Sequence, residues 1–177
     1  MQLKTNDNKY GVIRKLNHWT VSIMFISLLA VGFYMADIPA SPEKWELYAM
    51  HKSFGAILLP IILIRMLWLA FDNKIDNSKL TKLERIGSAS LHGSLYLLML
   101  IMPVSGMLMS MAKGYAINVF GLFTLPMLVE KNEALGVAMA NVHFYAGNVA
   151  AGLILMHVLA SLFHHFIKKD DILKRMV

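Results

Sequence analysis

The sequence predicts an all-α integral membrane protein, an antiparallel bundle of four helices, and two observations lead to this fold class. First, 57% of the 177 residues are hydrophobic, whereas an average soluble protein has roughly 45–50% apolar residues. Second, four stretches are apolar enough and long enough to cross a bilayer core, which takes roughly 20 residues per helix. These spans lie at about residues 17–35, 48–70, 89–111 and 141–166 of a single domain that comprises residues 1–177.

Polar segments rich in turn residues separate the predicted spans, at residues 37–46, 71–88 and 112–136. Such short connections favour antiparallel neighbours. Within the spans the only acidic or basic side chains are Lys52 and Arg65, both near span ends. Pro60 and Pro103 fall inside spans, where neighbouring helices can satisfy the freed carbonyl groups. The polar N-terminal segment lacks a small-residue cleavage site, so we expect no removable signal peptide.

The distribution of basic residues predicts the orientation of the bundle. Thirteen of the 17 lysines and arginines lie in the N-terminal segment, around the second connection and at the C-terminus. All three of these segments lie on one side of the predicted membrane. The positive-inside rule therefore places both termini in the cytoplasm. We read the net charge of +6 as this topology signal, and we expect no nucleic-acid partner.

The absence of cysteine excludes disulfides, thiolate metal sites, iron–sulfur clusters and covalently attached haem. The seven histidines, by contrast, all lie inside a predicted span or at its edge. Ionisable groups within a membrane are costly and usually functional. The histidines are therefore the candidate functional residues.

Four histidines fall at two matched depths. His51 and His143 each begin a span near the outer face, and we call them the outer pair. His157 follows His143 by fourteen residues, which is roughly 21 Å along a helix and within about 40° of the same helical face. His157 thus lies level with His18, and we call these two the inner pair. Two facing imidazoles can fill both axial positions of an iron porphyrin, so the sequence predicts two b-type haems.

Small residues lie one turn toward the membrane midplane from three of these histidines, as a flat macrocycle beside its ligands requires. They are Ser22, Gly55 and Gly147. Small residues also allow membrane helices to approach one another closely, which is the alternative explanation. A haem-free protein that moves metal ions or acts structurally is a further alternative. Zinc would need about four ligands at one depth, and the spans contain no Asp or Glu.

Several short motifs occur in order along nearly the whole chain. They are "NHW" at 17–19, "MH…G…R" from Met50 to Arg65, "LH…Y……P..G" from Leu91 to Gly106, "KG…FGL" at 113–122, and His143, His157 and "HH" before "KDDILKRM". With these motifs the sequence resembles the bacterial cytochrome b-561 family, in particular its small four-helix di-haem members that act as superoxide oxidases.

This resemblance implies the same four haem ligands, a location in the bacterial inner membrane, and no requirement for a protein partner. It further implies that superoxide gives electrons to the outer haem, and that the inner haem reduces ubiquinone near the cytoplasmic side. Cations on the outer face would attract the superoxide anion. We expect Lys52 and Lys113 to do so, although solvation of an ordinary loop is the alternative role of these lysines.

The quinone end needs proton donors, because reduction of a quinone consumes protons. His164 lies within about 20° of the helical face of His157, and His92 begins the third span. Both are candidates for the quinone site, and hydration by headgroups is their alternative role. Arg65 is a candidate partner for a haem propionate, with snorkelling to the interface as its alternative.

Two departures from the family pattern fall at this same end. Ile167 and Lys168 replace an aromatic position, and Ala89 replaces a histidine.

A cytochrome b subunit that anchors a larger dehydrogenase or hydrogenase is the second functional hypothesis. Such subunits also use four or five spans with paired histidines. The 25-residue segment 112–136 offers a surface on which a partner could dock.

Overall fold

The computed structural model describes residues 2–78 and 80–177, and four long helices dominate it. They are α1 (Val12–Asp37), α2 (Pro42–Phe71), α3 (Lys82–Ala112) and α4 (Glu133–Phe163). A π-helical turn (His164–Lys168) continues α4, and a 3-10 turn (Leu173–Arg175) precedes the C-terminus. Each of the four helices is long and apolar enough to cross a membrane. The predicted all-helical membrane protein with four spans is confirmed.

Every helix begins before the span predicted for it, and in α2, α3 and α4 a polar residue caps the helix ahead of the apolar stretch. Ser41 accepts a hydrogen bond from the Lys44 amide, and Pro42 occupies the first turn of α2. Thr81 and Glu84 form a reciprocal capping box at the start of α3. Asn132 caps α4 in the same manner as Ser41 caps α2. Hydropathy detects only the membrane-crossing part of each helix, whereas caps fix where the helix begins.

Contacts join the end of one helix to the start of a neighbouring helix. Near the end of α2, Arg65 donates to the Asn17 carbonyl near the start of α1, at 3.1 Å. Near the end of α4, Lys168 forms an ion pair with Glu84 at the start of α3. The Tyr10 amide donates to the Arg175 carbonyl at 3.2 Å, so both termini lie together at what we call the termini end.

The centre of the bundle is a small apolar core. Its buried residues come from all four helices and are Val21, Phe25, Leu58, Ile62, Leu98, Ala146 and Ala150. Many large apolar side chains point outward instead, including Leu67 (62% exposed) and Leu155 (60% exposed). Helices that are apolar on both their inner and outer faces suit a lipid environment.

A short β-hairpin lies at the opposite end of the bundle, which we call the hairpin end. Asn118–Val119 (β1) pairs with Phe123–Thr124 (β2) in antiparallel register. The hydroxyl of Ser53 on α2 lies 3.0 Å from the Asn118 carbonyl and accepts from the Phe120 amide at 3.2 Å. The hairpin is therefore fastened to α2 two residues beyond His51. The sequence analysis assigned this segment only as a loop.

Candidate haem site

The two histidine pairs predicted from the sequence meet inside the bundle, and their rings are equally far apart. The ring centroids of His51 and His143 are 6.3 Å apart. Those of His18 and His157 are also 6.3 Å apart. Each pair joins α4 to one other helix, α2 for the outer pair and α1 for the inner pair. All four residues lie at least six residues inside their helices, on regular backbone that fixes their positions.

This separation fits two imidazoles on opposite sides of one metal ion. A ligating imidazole nitrogen lies about 2.0–2.1 Å from a first-row metal, and the ring centroid lies about 1.1 Å behind that nitrogen. Two such rings therefore have centroids about 6.3 Å apart. The residues of both pairs thus fit a six-coordinate haem iron with two axial histidines.

Hydrogen bonds on α3 fix the tautomer of His143 in the outer pair. Its Nδ1 lies 2.9 Å from the Met102 carbonyl oxygen and 3.1 Å from the Ser105 hydroxyl. A carbonyl oxygen can only accept, so Nδ1 carries the proton and donates it. The lone pair then resides on Nε2, which is the state required of a metal ligand.

Glycines on the other helices provide space for the outer pair. A Cβ atom on Gly106 would lie 3.0 Å from Cε1 of His143, and one on Gly32 would lie 3.4 Å from Cε1 of His51. A Cβ on Gly55 would meet nothing within 4 Å, whereas Gly147 packs against Met102. The sequence predicted a role for Gly55 and Gly147 from their spacing to the histidines on their own helices.

Gly32 and Gly106 could not be predicted in this way, because their role depends on contacts with histidines on other helices. Gly106 does close the "P..G" motif, which was the available signal.

The inner pair has a cation beside it instead of a carbonyl group. One guanidinium nitrogen of Arg65 lies 3.1 Å from His18 Nδ1, and the guanidinium carbon lies 5.4 Å from the centroid of the Tyr96 ring. The guanidinium therefore places a positive charge directly beside the His18 ring. Among the described residues, Nε of Arg65 is buried and has no hydrogen-bond partner. A haem propionate would supply an acceptor for that donor.

His92 lies beside the inner pair as a neighbour of His157. Their ring centroids are 5.2 Å apart, and Ser88 lies 3.2 Å from His92 Nδ1. This separation is too short for an iron atom between the two rings. The geometry therefore favours His18 over His92 as the axial partner of His157, and it brings one quinone candidate against a haem ligand.

His164, the other quinone candidate, lies at one end of an apolar groove on α4. The groove has a volume of about 480 Å³ and runs from Gly152 past Leu155 and Leu159 to His164. Nδ1 of His164 lies 2.5 Å from the Asp170 carboxylate. The π-helical turn brings them together, since the Asp170 amide donates to the His164 carbonyl at 3.1 Å. Turns of this kind often occur at functional sites.

Asp170 is a candidate functional residue that the sequence analysis missed. Partial burial would raise the pKa of its carboxyl, but hydrogen bonds from His164 and the Ile172 amide hold that pKa below its usual value. Asp170 is therefore an anion that accepts a hydrogen bond from Nδ1 of His164. Its position in the "KDD" motif gave no signal, because only the π-helical turn orients it toward the histidine.

Of the two predicted outer cations, one lies near Tyr115 in space and the other shortly precedes it in the chain. The ammonium group of Lys52 is 5.9 Å from the ring centroid of Tyr115. Lys113 follows the last residue of α3, two positions before that tyrosine, and is exposed. Both lysines therefore lie at the hairpin end, the same end as the outer pair.

Comparisons with known proteins agree with the predicted resemblance. The family model of prokaryotic cytochrome b561 matches residues 9–177. Cytochrome b561 homolog 2 of Escherichia coli K12 is 32% identical over 180 residues, covering 100% of this chain and 95% of that protein. A protein of Yersinia pestis named probable superoxide oxidase CybB is 27% identical over 174 residues and is covered to 96%.

Together with the four membrane-spanning helices, these matches are those of a bacterial membrane protein that binds b-type haem and transfers electrons. The chain belongs to the prokaryotic cytochrome b561 family.

Proposed function

We propose that this protein carries electrons across the bacterial inner membrane through two haems b, from superoxide at the outer face to ubiquinone at the inner face. The equal 6.3 Å separation of the two histidine pairs is the observation that carries the proposal. Haem bound between each pair supplies a one-electron relay, because two axial histidines leave no open position on the iron. Helix α4 supplies one histidine to each pair.

The contacts within the bundle support the proposed topology. Opposite ends of α1 and α2 meet through Arg65 and Asn17, and those of α3 and α4 meet through Glu84 and Lys168. These contacts support an antiparallel four-helix bundle. Both termini lie at one end, where thirteen of the 17 basic residues also concentrate in the sequence. We therefore assign the termini end to the cytoplasm and the hairpin end to the outer face.

Lysines at the hairpin end support an anionic electron donor. Lys52 directly follows the proposed ligand His51 and lies 5.9 Å from the Tyr115 ring, and Lys113 is exposed two residues before that tyrosine. Positive charges at the entrance to a low-dielectric site raise the local concentration of a small anion. The name of the Yersinia pestis relative supports superoxide as that anion. Each superoxide loses one electron and becomes dioxygen.

The groove on α4 supports ubiquinone as the electron acceptor. Two electrons from two superoxide anions, together with two protons from the cytoplasmic side, convert ubiquinone to ubiquinol. An apolar groove open to lipid suits the isoprenoid quinone, and a polar group at its end suits the quinone ring. Asp170 holds Nδ1 of His164, so Nε2 is the nitrogen left to face a quinone oxygen. With the ring in its imidazolium form, Nε2–H would donate a hydrogen bond to that oxygen and protonate it, and a proton from the cytoplasmic side would restore the imidazolium.

Stopped-flow mixing of the haem-loaded protein with superoxide tests the electron donor. We expect haem reduction faster than spontaneous dismutation, and a lower rate constant in Lys52→Gln and Lys113→Gln at low ionic strength. Lys169→Gln, a change of an exposed cation at the other end, is the matched control. Reduction no faster than dismutation would reject superoxide as the donor while leaving the di-haem assignment intact.

Quinone reduction by the pre-reduced protein tests the acceptor site. His164→Ala and Asp170→Asn are expected to slow ubiquinone reduction by roughly 10²-fold, the usual contribution of a positioned acid. Haem reduction by superoxide should keep its rate in both variants. Asp171→Asn removes the neighbouring carboxylate and is the control. If Asp171→Asn slows quinone reduction as much as Asp170→Asn, the pair has no specific role.

A cytochrome b subunit that serves another dehydrogenase remains the second candidate function. The hairpin end exposes large apolar side chains, including Leu122 (81% exposed) and Leu128 (66% exposed), and a protein partner could cover them. Purification from native membranes in a mild detergent distinguishes the two functions. Recovery of a stoichiometric partner favours the subunit, and recovery of a single polypeptide favours the free oxidoreductase.

A further inference from the structure

Helix α3 carries none of the four proposed haem ligands, yet it makes all the hydrogen bonds that the structure records for the outer ligand His143. We propose that the Met102 carbonyl and the Ser105 hydroxyl are positioning groups that set the redox potential of the outer haem, with Gly106 providing the space they need. This inference rests on the proposed di-haem assignment. It concerns residues to which the proposed function gives no role.

The hydrogen-bond geometry around Ser105 makes its oxygen an acceptor toward His143. The hydroxyl lies 2.6 Å from the Ile101 carbonyl, one turn earlier on α3, and 3.1 Å from the Met102 carbonyl. A hydroxyl has one hydrogen, and the shorter contact takes it. Its lone pairs are then directed to other donors. Nδ1 of His143 therefore donates to two oxygens, the Met102 carbonyl at 2.9 Å and Ser105 at 3.1 Å.

Gly106 explains how the imidazole reaches the α3 backbone at all. Gly106 follows Met102 by four residues and so lies on the same helical face. A Cβ at this position would lie 3.0 Å from Cε1, 3.3 Å from Nδ1 and 3.8 Å from Nε2 of the His143 ring. Since the obstacle would be helical backbone on one side and a packed ring on the other, any side chain here would displace the ligand.

The two ligands of the outer pair are thus held unequally. Nδ1 of His51 is buried and has no hydrogen-bond partner among the residues that the structure describes. The two hydrogen bonds to α3 are therefore the polar contacts that can tune the outer pair. A hydrogen bond from Nδ1 to an acceptor makes the imidazole a stronger donor to the metal. A more basic axial ligand stabilises the oxidised iron and lowers its potential.

Redox titration of the full haem-loaded protein, followed optically, tests this proposal. Ser105→Ala removes one acceptor, and we expect the outer haem to shift toward the reduced form by up to tenfold, about 59 mV for one electron. The inner haem should keep its potential, and loss of one component in His51→Ala identifies the outer one. Ser105→Thr retains the hydroxyl and should restore the potential. Ser110→Ala, a buried serine on α3 that bonds to the Tyr115 carbonyl, should shift neither haem.

A matched pair of glycine variants tests the requirement for space. Gly106→Ala should release the outer haem, which halves the haem content, because its Cβ would press on Cε1 and Nδ1 of His143 at 3.0 and 3.3 Å. Gly32→Ala should retain both haems, because its Cβ would make only an ordinary contact with His51 at 3.4 Å.

If Ser105→Ala binds two haems with unchanged potentials, or Gly106→Ala behaves as Gly32→Ala does, the role of α3 is refuted. A wild-type protein that binds no haem would instead refute the proposed function.

Discussion

The outer and inner histidine pairs have the same ring separation but opposite polar surroundings. Behind His143 lie two oxygen acceptors, the Met102 carbonyl and the Ser105 hydroxyl. Behind His18 lies the positively charged guanidinium group of Arg65. The separation of the rings fits the same kind of occupant, an iron held between two imidazoles, at each proposed site. The groups behind the rings show how the two sites differ once they are loaded.

These surroundings should shift the two redox potentials in opposite directions. Acceptors behind a ligand favour the oxidised iron, whereas a cation near the site favours the reduced iron. We therefore expect the outer haem to have the lower potential. Electrons would then pass to the inner haem downhill, in the direction that the proposed function requires.

Removal of one ligand from each pair should produce the largest effect. His51→Ala should lose the outer haem and His157→Ala the inner haem, with the other haem largely retained, because the pairs share no residue. Haem content per polypeptide, measured with the optical spectrum, checks this. We expect about half of the wild-type haem in each variant. Retention of the full haem content in both variants would break the pairing.

Removal of the cation beside the inner pair should have a smaller effect, a shift in the redox potential of the inner haem. Arg65→Gln eliminates a positive charge next to His18, so the inner haem should shift toward its oxidised form. We expect roughly a tenfold shift of its redox equilibrium, about 59 mV for one electron. Arg65→Lys keeps the charge and should recover part of the shift. If the potential of the outer haem shifts as far as that of the inner haem, the contact between Arg65 and His18 has no local role.

Different polar groups fasten the chain at the two ends of the bundle. This difference leads to the prediction with the smallest expected effect. At the termini end, the Asp72 carboxylate accepts from the Thr5 amide at 2.8 Å and from its hydroxyl at 2.5 Å. At the hairpin end, the closing group is the neutral hydroxyl of Ser53. Burial would raise the pKa of Asp72, but the bonds from Thr5 and Arg14 hold that pKa below its usual value of 3.8.

A depressed pKa means that Asp72 stabilises the fold above pH 3.8, and that this contribution is lost as the pH falls through the lowered value. Asp72→Asn should loosen the N-terminal segment at neutral pH by about 1.5–3 kcal/mol, the range for a hydrogen bond to a charged group. Hydrogen exchange at the Thr5 amide measures this. The Phe120 amide at the hairpin end should keep its protection, and Asp7→Asn is the control. Equal loosening at both ends would contradict the local account.

The sequence predicted most of the fold, because the membrane imposes its thickness on the pattern of apolar residues. The four helices are confirmed, and the matched depths of His18, His51, His143 and His157 correspond to the pairs that meet in the structure. These features depend on one dimension only, the position of a residue along a helix. A helix rise of about 1.5 Å per residue converts that position directly into depth.

The remainder depended on which helices face one another, which the sequence does not state. Gly106 and Ser105 act on a histidine 37 and 38 residues away in the chain. Asp170 reaches His164 only because the helix widens into a π-helical turn. The hairpin was missed because strands of two residues are too short to produce an alternating pattern.

The haem stoichiometry and coordination of the wild-type protein test the central claim most directly. Purified protein, expressed with ample haem supply, should contain two non-covalently bound haems per polypeptide. Electron paramagnetic resonance of the oxidised form should show both irons low-spin with two axial histidines. A single haem, a high-spin iron with an open position, or a colourless protein would contradict the account.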